Sequence, residues 1–206
     1  MRVARASLLS VLLTVMSAPP LASAAQGTDP ILYAKELQPN GKISTETWTD
    51  RAFLRARTTN YDSQGKVVGQ STVTITRNRI RTENVFYPAK QWVTRTATLP
   101  PSAHSLQIRH SAYFPAEVRK LVSTGRIGLV GRPTIAGRKT LQLQGQTGPQ
   151  LLQIWVEPKT YLVVQVVVRW IGRGVIEKLM FDWLPRTPAN QAKLKLIVPP
   201  GFQHVG

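Results

Sequence analysis

The chain has no cysteine in its 206 residues. That excludes disulfides, and it excludes the thiol that a lipid-modified export signal needs at its cut. Acids are nearly as scarce, ten Asp and Glu against 27 Lys and Arg. A glycosidase needs two carboxylates facing one bond across a cleft, and nothing in the sequence pairs them. There are three histidines, His104, His110 and His204, and no Cys or carboxylate stands near enough to complete a zinc ligand set. Ser102-x-His104 sits beside two prolines without a nucleophile elbow. Gly125-x-x-Gly128-x-x-Gly131 has neither the spacing of a phosphate loop nor a helix after it. These absences argue against an enzyme, a metal site and a cofactor. The chain reads as one that holds rather than reacts.

Long hydrophobic runs are also missing. The longest internal one, Leu162 to Val168, is far too short to span a bilayer. The start of the chain is different. Arg2 and Arg5 precede the apolar stretch Leu8 to Met16, then come Ala18-Pro19-Pro20 and Ala22-Ser23-Ala24. A positive start, a short apolar centre and small residues before the cut are the plan of a secretory signal. We place the signal at 1–24 and a single domain at 25–206. About 180 residues then remain, enough for one domain that buries roughly 70% of its unfolded surface. The expected location is exported, periplasmic or extracellular, without a lipid anchor.

Losing Arg2 and Arg5 lowers the net charge from +17 to +15. Such a balance favours anionic partners, such as an anionic membrane surface or wall polymers, though a generally solvated basic surface reads equally well. An exported protein seldom needs nucleic acid, and none is expected. Aromatics interleaved with Arg in Tyr87 to Arg95 count as sheet packing.

What is present is mostly β pattern. Ile31–Leu37 is a first short strand. Glu46–Thr58 reads as one longer strand, with Ala52, Leu54 and Ala56 on one side, Arg51, Arg55 and Arg57 on the other, and Phe53 out of pattern. A turn at Tyr61–Lys66 leads to Val67–Thr76, where Val73 and Ile75 oppose Thr72, Thr74 and Thr76. Arg77-Asn78 closes a hairpin into Arg79–Tyr87, and Lys90–Leu99 follows. After a break at Leu99–Ala103, Pro115–Val122 predicts a helix, with Pro115 in its first turn and Gly125 past its end. Ile127–Val130, Lys139–Gln144, Leu151–Val156, Tyr161–Trp170 and Val175–Trp183 return to strand. Thr187 caps a short helix opened by Pro188. From Leu162 to Val168 only Gln165 interrupts the apolar series, so this strand needs cover on both faces. The cover is either an apolar cavity or ordinary core.

The segment Ile154-Trp155-Val156-Glu157-Pro158-Lys159-Thr160-Tyr161-Leu162 resembles the "lWvDPkTylP" stretch of exported bacterial proteins related to the outer-membrane lipoprotein carrier. That superfamily includes the periplasmic regulator of sigma-E signalling and the mycobacterial lipid-binding lipoproteins. Gly131 to Arg138 is similar to the hairpin that precedes it. Phe181 to Asn190, with Pro199-Pro200-Gly201-Phe202, is similar to the end of actinobacterial members. Glu157 stands where Asp is usual, and Val163 where Pro is frequent. The resemblance is clearest from about residue 120 onward.

It implies a mainly β, α+β fold: a strongly curved antiparallel sheet, a half-barrel, with helices covering its concave side. In relatives that space receives lipid or the acyl chains of an acylated protein, while the sigma-E regulator binds a membrane-bound signalling protein. By parity the candidate apolar wall is Leu54, Val73, Ile75, Leu141, Leu143, Trp155, Val164, Val166, Val168 and Met180, with Leu121 and Val122 as a lid. Each CH₂ buried there contributes about 0.8 kcal/mol, so an acyl chain needs no directional chemistry. Three readings follow: a lipid or lipoprotein carrier or sensor, an envelope-stress regulatory module, and a basic adhesin without a pocket.

Overall fold

The computed structural model describes residues 29–99, 110–172 and 176–205. The expected export signal at 1–24, Ser102, His104 and most of the break before the helix lie outside these residues. Fourteen strands and two α-helices are described. Six strands come first: β1 Ile31–Leu37, β2 Ile43–Asp50, β3 Arg55–Tyr61, β4 Val67–Thr76, β5 Arg79–Phe86 and β6 Gln91–Thr98. A short 3-10 turn, Ser111–Tyr113, leads into helix α1, Pro115–Ser123. Then come β7 Gly128–Gly131, β8 Thr134–Ile135, β9 Arg138–Lys139, β10 Leu141–Thr147, β11 Gln150–Val156, β12 Val163–Trp170 and β13 Ile176–Leu184. Helix α2, Pro188–Ala192, and β14, Gln203–His204, complete the chain.

Twelve of the strands form one curved, open sheet in the order β14-β6-β5-β4-β3-β2-β1-β13-β12-β11-β10-β7, and β8 and β9 make a separate hairpin. All neighbours in the large sheet are antiparallel except β14, which lies parallel to β6. This is the expected α+β half-barrel class. The two meanders meet where β1 pairs with β13, Ala34 opposite Phe181.

The expected single strand over 46–58 is two strands. The chain turns at Arg51–Leu54, where Asp50 Oδ1 accepts from the Phe53 N–H and the Leu54 N–H bonds the Arg51 carbonyl. Leu54 takes φ 45, a left-handed value few leucines adopt, and Phe53 is left 60% exposed. No Gly or Pro marks this turn, and Phe53, the residue out of the alternating pattern, is its one sequence sign. The turn after β3 is as expected: Asp62 Oδ1 accepts from the Gln64 and Lys66 N–H groups.

α1 buries Val118 completely and lays Leu121 and Val122 against a core cluster. That cluster includes Leu32, Leu141, Leu143, Ile154, Val156, Val163, Val166, Val168, Leu179 and Phe181. Phe114, at the helix N-cap, meets the Trp183 ring edge-on at 5.1 Å, and Trp183 Nε1 donates to the Val163 carbonyl at 2.8 Å. α2 starts as expected, the Thr187 hydroxyl accepting from the Asn190 N–H, but buries none of its residues. Among the described residues, α1 is thus the α-helix that covers the sheet, with Tyr113 of the preceding 3-10 turn beside it.

Candidate binding surface

On the face that carries α1, three zones follow one another across the sheet. Under the helix lies the apolar cluster of β1 and β10–β13. Beyond it, β2 and β3 present Thr47, Thr49 and Thr58, all buried, with the Thr47 and Thr58 hydroxyls 3.3 Å apart. A second small cluster then gathers Ala56 and Ile75 with Leu54, Val73, Ile80 and Leu99. Threonine alternates with apolar residues in this half, so the face is filled by small side chains rather than by one greasy wall.

The twelve expected wall and lid residues therefore divide. Leu121 and Val122 sit over Leu141, Leu143, Val166 and Val168. Leu54, Val73 and Ile75 belong to the second cluster, across the threonine band. Trp155 and Met180 lie in register with Gln165 and so face away from α1, opposite to the parity expectation. The hairpin registers set this: Leu143 pairs with Ile154 and Val166 with Leu179, so their neighbours Trp155 and Met180 take the other face, while a bulge that leaves Val164 as the extra residue brings Val163 to the same face as Val166. Five valines and Gln165 make up Val163–Val168, and all six residues are buried. One face of β12 packs under α1. On the other, Val167 stands in register between Gln153 and Lys178, and the Gln153 amide is tied to Gln144 at 2.9 Å. The second face is lined by Trp155 and Met180 beside Gln165 and by Gln153 and Lys178 beside Val167.

α1 is fastened by two arginines, one at its first turn and one at its middle. Arg51 donates to Glu117 at 2.9 Å. Arg119 donates to the Thr160 carbonyl at 2.9 Å and the Lys159 carbonyl at 3.3 Å, and lies 5.0 Å from the Tyr161 ring. The Glu157–Leu162 turn thus serves as a dock for the helix. Within it Thr160 Oγ donates to Glu157, and Tyr161 takes φ 62. Beside this turn is a shallow cleft of about 410 Å³ lined by Arg138, Lys139, Glu157, Pro158, Lys159 and Thr160. A second, of about 390 Å³, is lined by Gly41, Lys42, Ile43, Tyr61 and Gly65 at the opposite end of the strands.

The face away from α1 holds a polar cluster that the sequence did not single out. Glu46 accepts from both the Tyr33 and Tyr61 hydroxyls. Burial, then the hydrogen bond to the Glu46 carboxylate, pushes Tyr61 up to about 12 and Tyr33 higher still. Tyr33 packs on Trp48 at 4.5 Å. Arg57, whose pKa is lowered by burial, donates to the Lys195 carbonyl at 3.3 Å, and its Nε is buried without a partner. The C-terminal segment crosses this face: Leu194 is buried, Phe202 meets Tyr87 and His204 meets Trp92 before the chain pairs with β6.

No family model matches the chain, and no curated protein sequence does. Solved structures give loose likenesses. MucB aligns over 85% of this chain and 64% of its own, at 15% identity and a TM-score of 0.36. The MucA/MucB complex of Pseudomonas aeruginosa aligns over 84% and 62%, at 15% identity and 0.35. PNGF-II aligns over 80% and 30%, at 8% identity and 0.33. The chain spans under two thirds of the length of each of these. Likenesses at such TM-scores carry no argument about what this protein does.

Proposed function

We propose that the chain is an exported, non-enzymatic binding protein of the cell envelope, without a lipid anchor, whose partner is a membrane-bound protein. One observation carries this reading. The apolar wall of β10–β13 is occupied by the protein's own helix, with Phe114 and Val118 buried in one core cluster with Val163 and Val166. Recognition is then left to the exterior, which is strongly basic and carries exposed apolar residues. Among the described residues no helix is long and apolar enough to cross a membrane. Photo-crosslinking in intact envelopes tests it. One discrete protein adduct supports the reading; adducts to lipid alone overturn it.

A carrier or sensor of lipid or acyl chains is the second reading, and the brevity of α1 favours it. A nine-residue helix has little stability of its own. Its two arginine fastenings are partly exposed, so an acyl chain could take its place over Val166 and Val168 in a carrier-like half-barrel. Native mass spectrometry of protein purified from its own envelope decides: a bound lipid supports this reading, and a clean apo mass with no uptake of fluorescent fatty acid counts against it. Steep salt sensitivity of binding to anionic vesicles, unaltered by Val166→Asp, would instead point to adhesion by charge.

A further inference from the structure

A sheet that does not close has two edges, and here they are treated differently. At one, the chain covers β6 with its own C-terminal segment: the Gln203 N–H bonds the Lys90 carbonyl and the Val205 N–H bonds the Trp92 carbonyl, both at 2.9 Å. At the other, β7 has β10 on its inner side and no strand on its outer side among the described residues. Native sheets rarely leave such backbone groups open without cause, because an open edge is a template for another strand.

β7 has few of the features that would deter pairing within the strand itself. Its sequence is Gly-Leu-Val-Gly, with no charge and no proline. Leu129 and Val130 are 50% and 55% exposed. A side chain built on Gly128 would meet nothing within 4 Å, so another backbone can approach there. The bulge at Val130, between the Gly131–Gln142 and Leu129–Leu143 pairs, turns the middle of the edge but leaves both ends extended.

The surroundings state the charge of what fits. Between Glu117 and Glu157 there is no acid, and there are six cations: Arg119, Lys120, Arg126, Arg132, Arg138 and Lys139. Arg119 is held by the Lys159 and Thr160 carbonyls, and Arg138 lies 3.9 Å from Glu157 and 3.7 Å from Asp182. Arg126 and Arg132 bracket β7, exposed, with no ion-pair partner among the described residues. An edge strand flanked by two open guanidinium groups is complementary to an extended segment that is apolar in its middle and acidic at its ends.

We propose that the outer edge of β7 binds such a segment of a partner protein as an added strand, with Leu129 and Val130 against its apolar residues and Arg126 and Arg132 against its flanking carboxylates. This deepens the protein-partner reading and rests on it for the class of ligand. At about 3.3 Å per residue, four residues of β7 offer a run of roughly 13 Å. Two to four added backbone hydrogen bonds and two exposed charge pairs make a weak, salt-sensitive contact, which suits a segment tethered near by a larger interface.

The probe is a fluorescein-labelled ten-residue peptide with alternating Val and Thr in the middle and Asp-Glu at each end, read by anisotropy against the full chain. Saturable binding is expected, weakened at least about tenfold by Leu129→Asp and by the double variant Arg126→Glu, Arg132→Glu. A peptide N-methylated at alternate residues, which cannot complete the ladder, should bind at least about tenfold more weakly. Equal binding of the methylated peptide overturns the added strand and leaves only charge attraction. So does equal binding of a peptide with Lys-Arg ends, or no binding at about millimolar peptide. Sedimentation showing a dimer that Leu129→Asp dissolves would also overturn it, because the edge would then take a second copy of this chain. If crosslinking in envelopes finds a protein partner that Leu129→Asp still captures, the protein-partner function stands and the β7 edge falls.

Discussion

Arg186 closes a two-pronged ion pair on Asp50, Nη1 to Oδ1 at 2.7 Å and Nη2 to Oδ2 at 2.9 Å. The side chains are 11% and 3% exposed, so both charges are largely out of water and depend on each other. The same guanidinium lies 4.6 Å from the exposed Phe53 ring, and the same carboxylate accepts from the Phe53 N–H. One pair therefore joins the β2–β3 turn to the segment that follows β13.

Arg186→Met should destabilise the fold by about 3–5 kcal/mol, because it strands a buried carboxylate. The double variant Asp50→Asn, Arg186→Met should lose clearly less than the sum of its parts. Urea denaturation of the four species measures this. Strictly additive losses would mean that the pair is not coupled.

Glu46 should govern two tyrosines. Both folded-state pKa values lie above the ordinary value of 10, so the stability they contribute is complete below pH 10 and declines as pH rises toward about 12, where Tyr61 ionises. Absorbance near 295 nm should show three tyrosines ionising late, Tyr33, Tyr61 and Tyr113, the last pushed up to about 12 by burial and out of reach of Glu46→Gln. Glu46→Gln should bring Tyr33 and Tyr61 down without returning them to 10, since burial, the larger cause, persists. If the late phase is unchanged in that variant, the carboxylate is not its partner.

Phe114→Ala separates the two functional readings. Phe114 is 1% exposed and packs on Trp183, so as permanent core its loss should cost about 3–5 kcal/mol. A helix that leaves the wall to admit an acyl chain would make the same change cost far less and raise fatty-acid uptake. Denaturation midpoints and uptake on one protein preparation decide between them.

Gly145→Ala should be among the most damaging small changes. A side chain at Gly145 in β10 would run into the Arg126 carbonyl and come within 2.7 Å of the Ile127 methyl carbon. The crossing of the helix exit over β10 is backbone against backbone, with no flexible atom to yield. A drop in melting temperature of several degrees is expected, and none would show that the crossing relaxes freely.

Most of the architecture could be read from alternation and turn chemistry. β1 and β4 fall at the expected residues, and α1 and α2 begin at Pro115 and Pro188 as expected. What could not be read arose where geometry departs from period two without a Gly or Pro to mark it. The turn at Arg51–Leu54 is held by the Asp50 carboxylate and a strained Leu54, neither of which breaks an alternating pattern. The bulge at Val164 lies within a run of valines, where one extra residue changes faces unseen, and Trp155 and Met180 take the other face because register pairs their neighbours Ile154 and Leu179 with Val166. The Glu46 cluster was missed because its members come from three strands whose register no local pattern fixes.

The pairing of β1 with β13 bears on how the molecule is made. Ile31 meets Leu184, so the innermost seam of the sheet joins segments some 150 residues apart in the chain. A polypeptide delivered amino end first cannot zip that seam until nearly all of it has emerged. The loop closure is costly and late, which favours slow folding and keeps the earlier strands pliable meanwhile. A chain threaded unfolded through a narrow pore would gain from that delay.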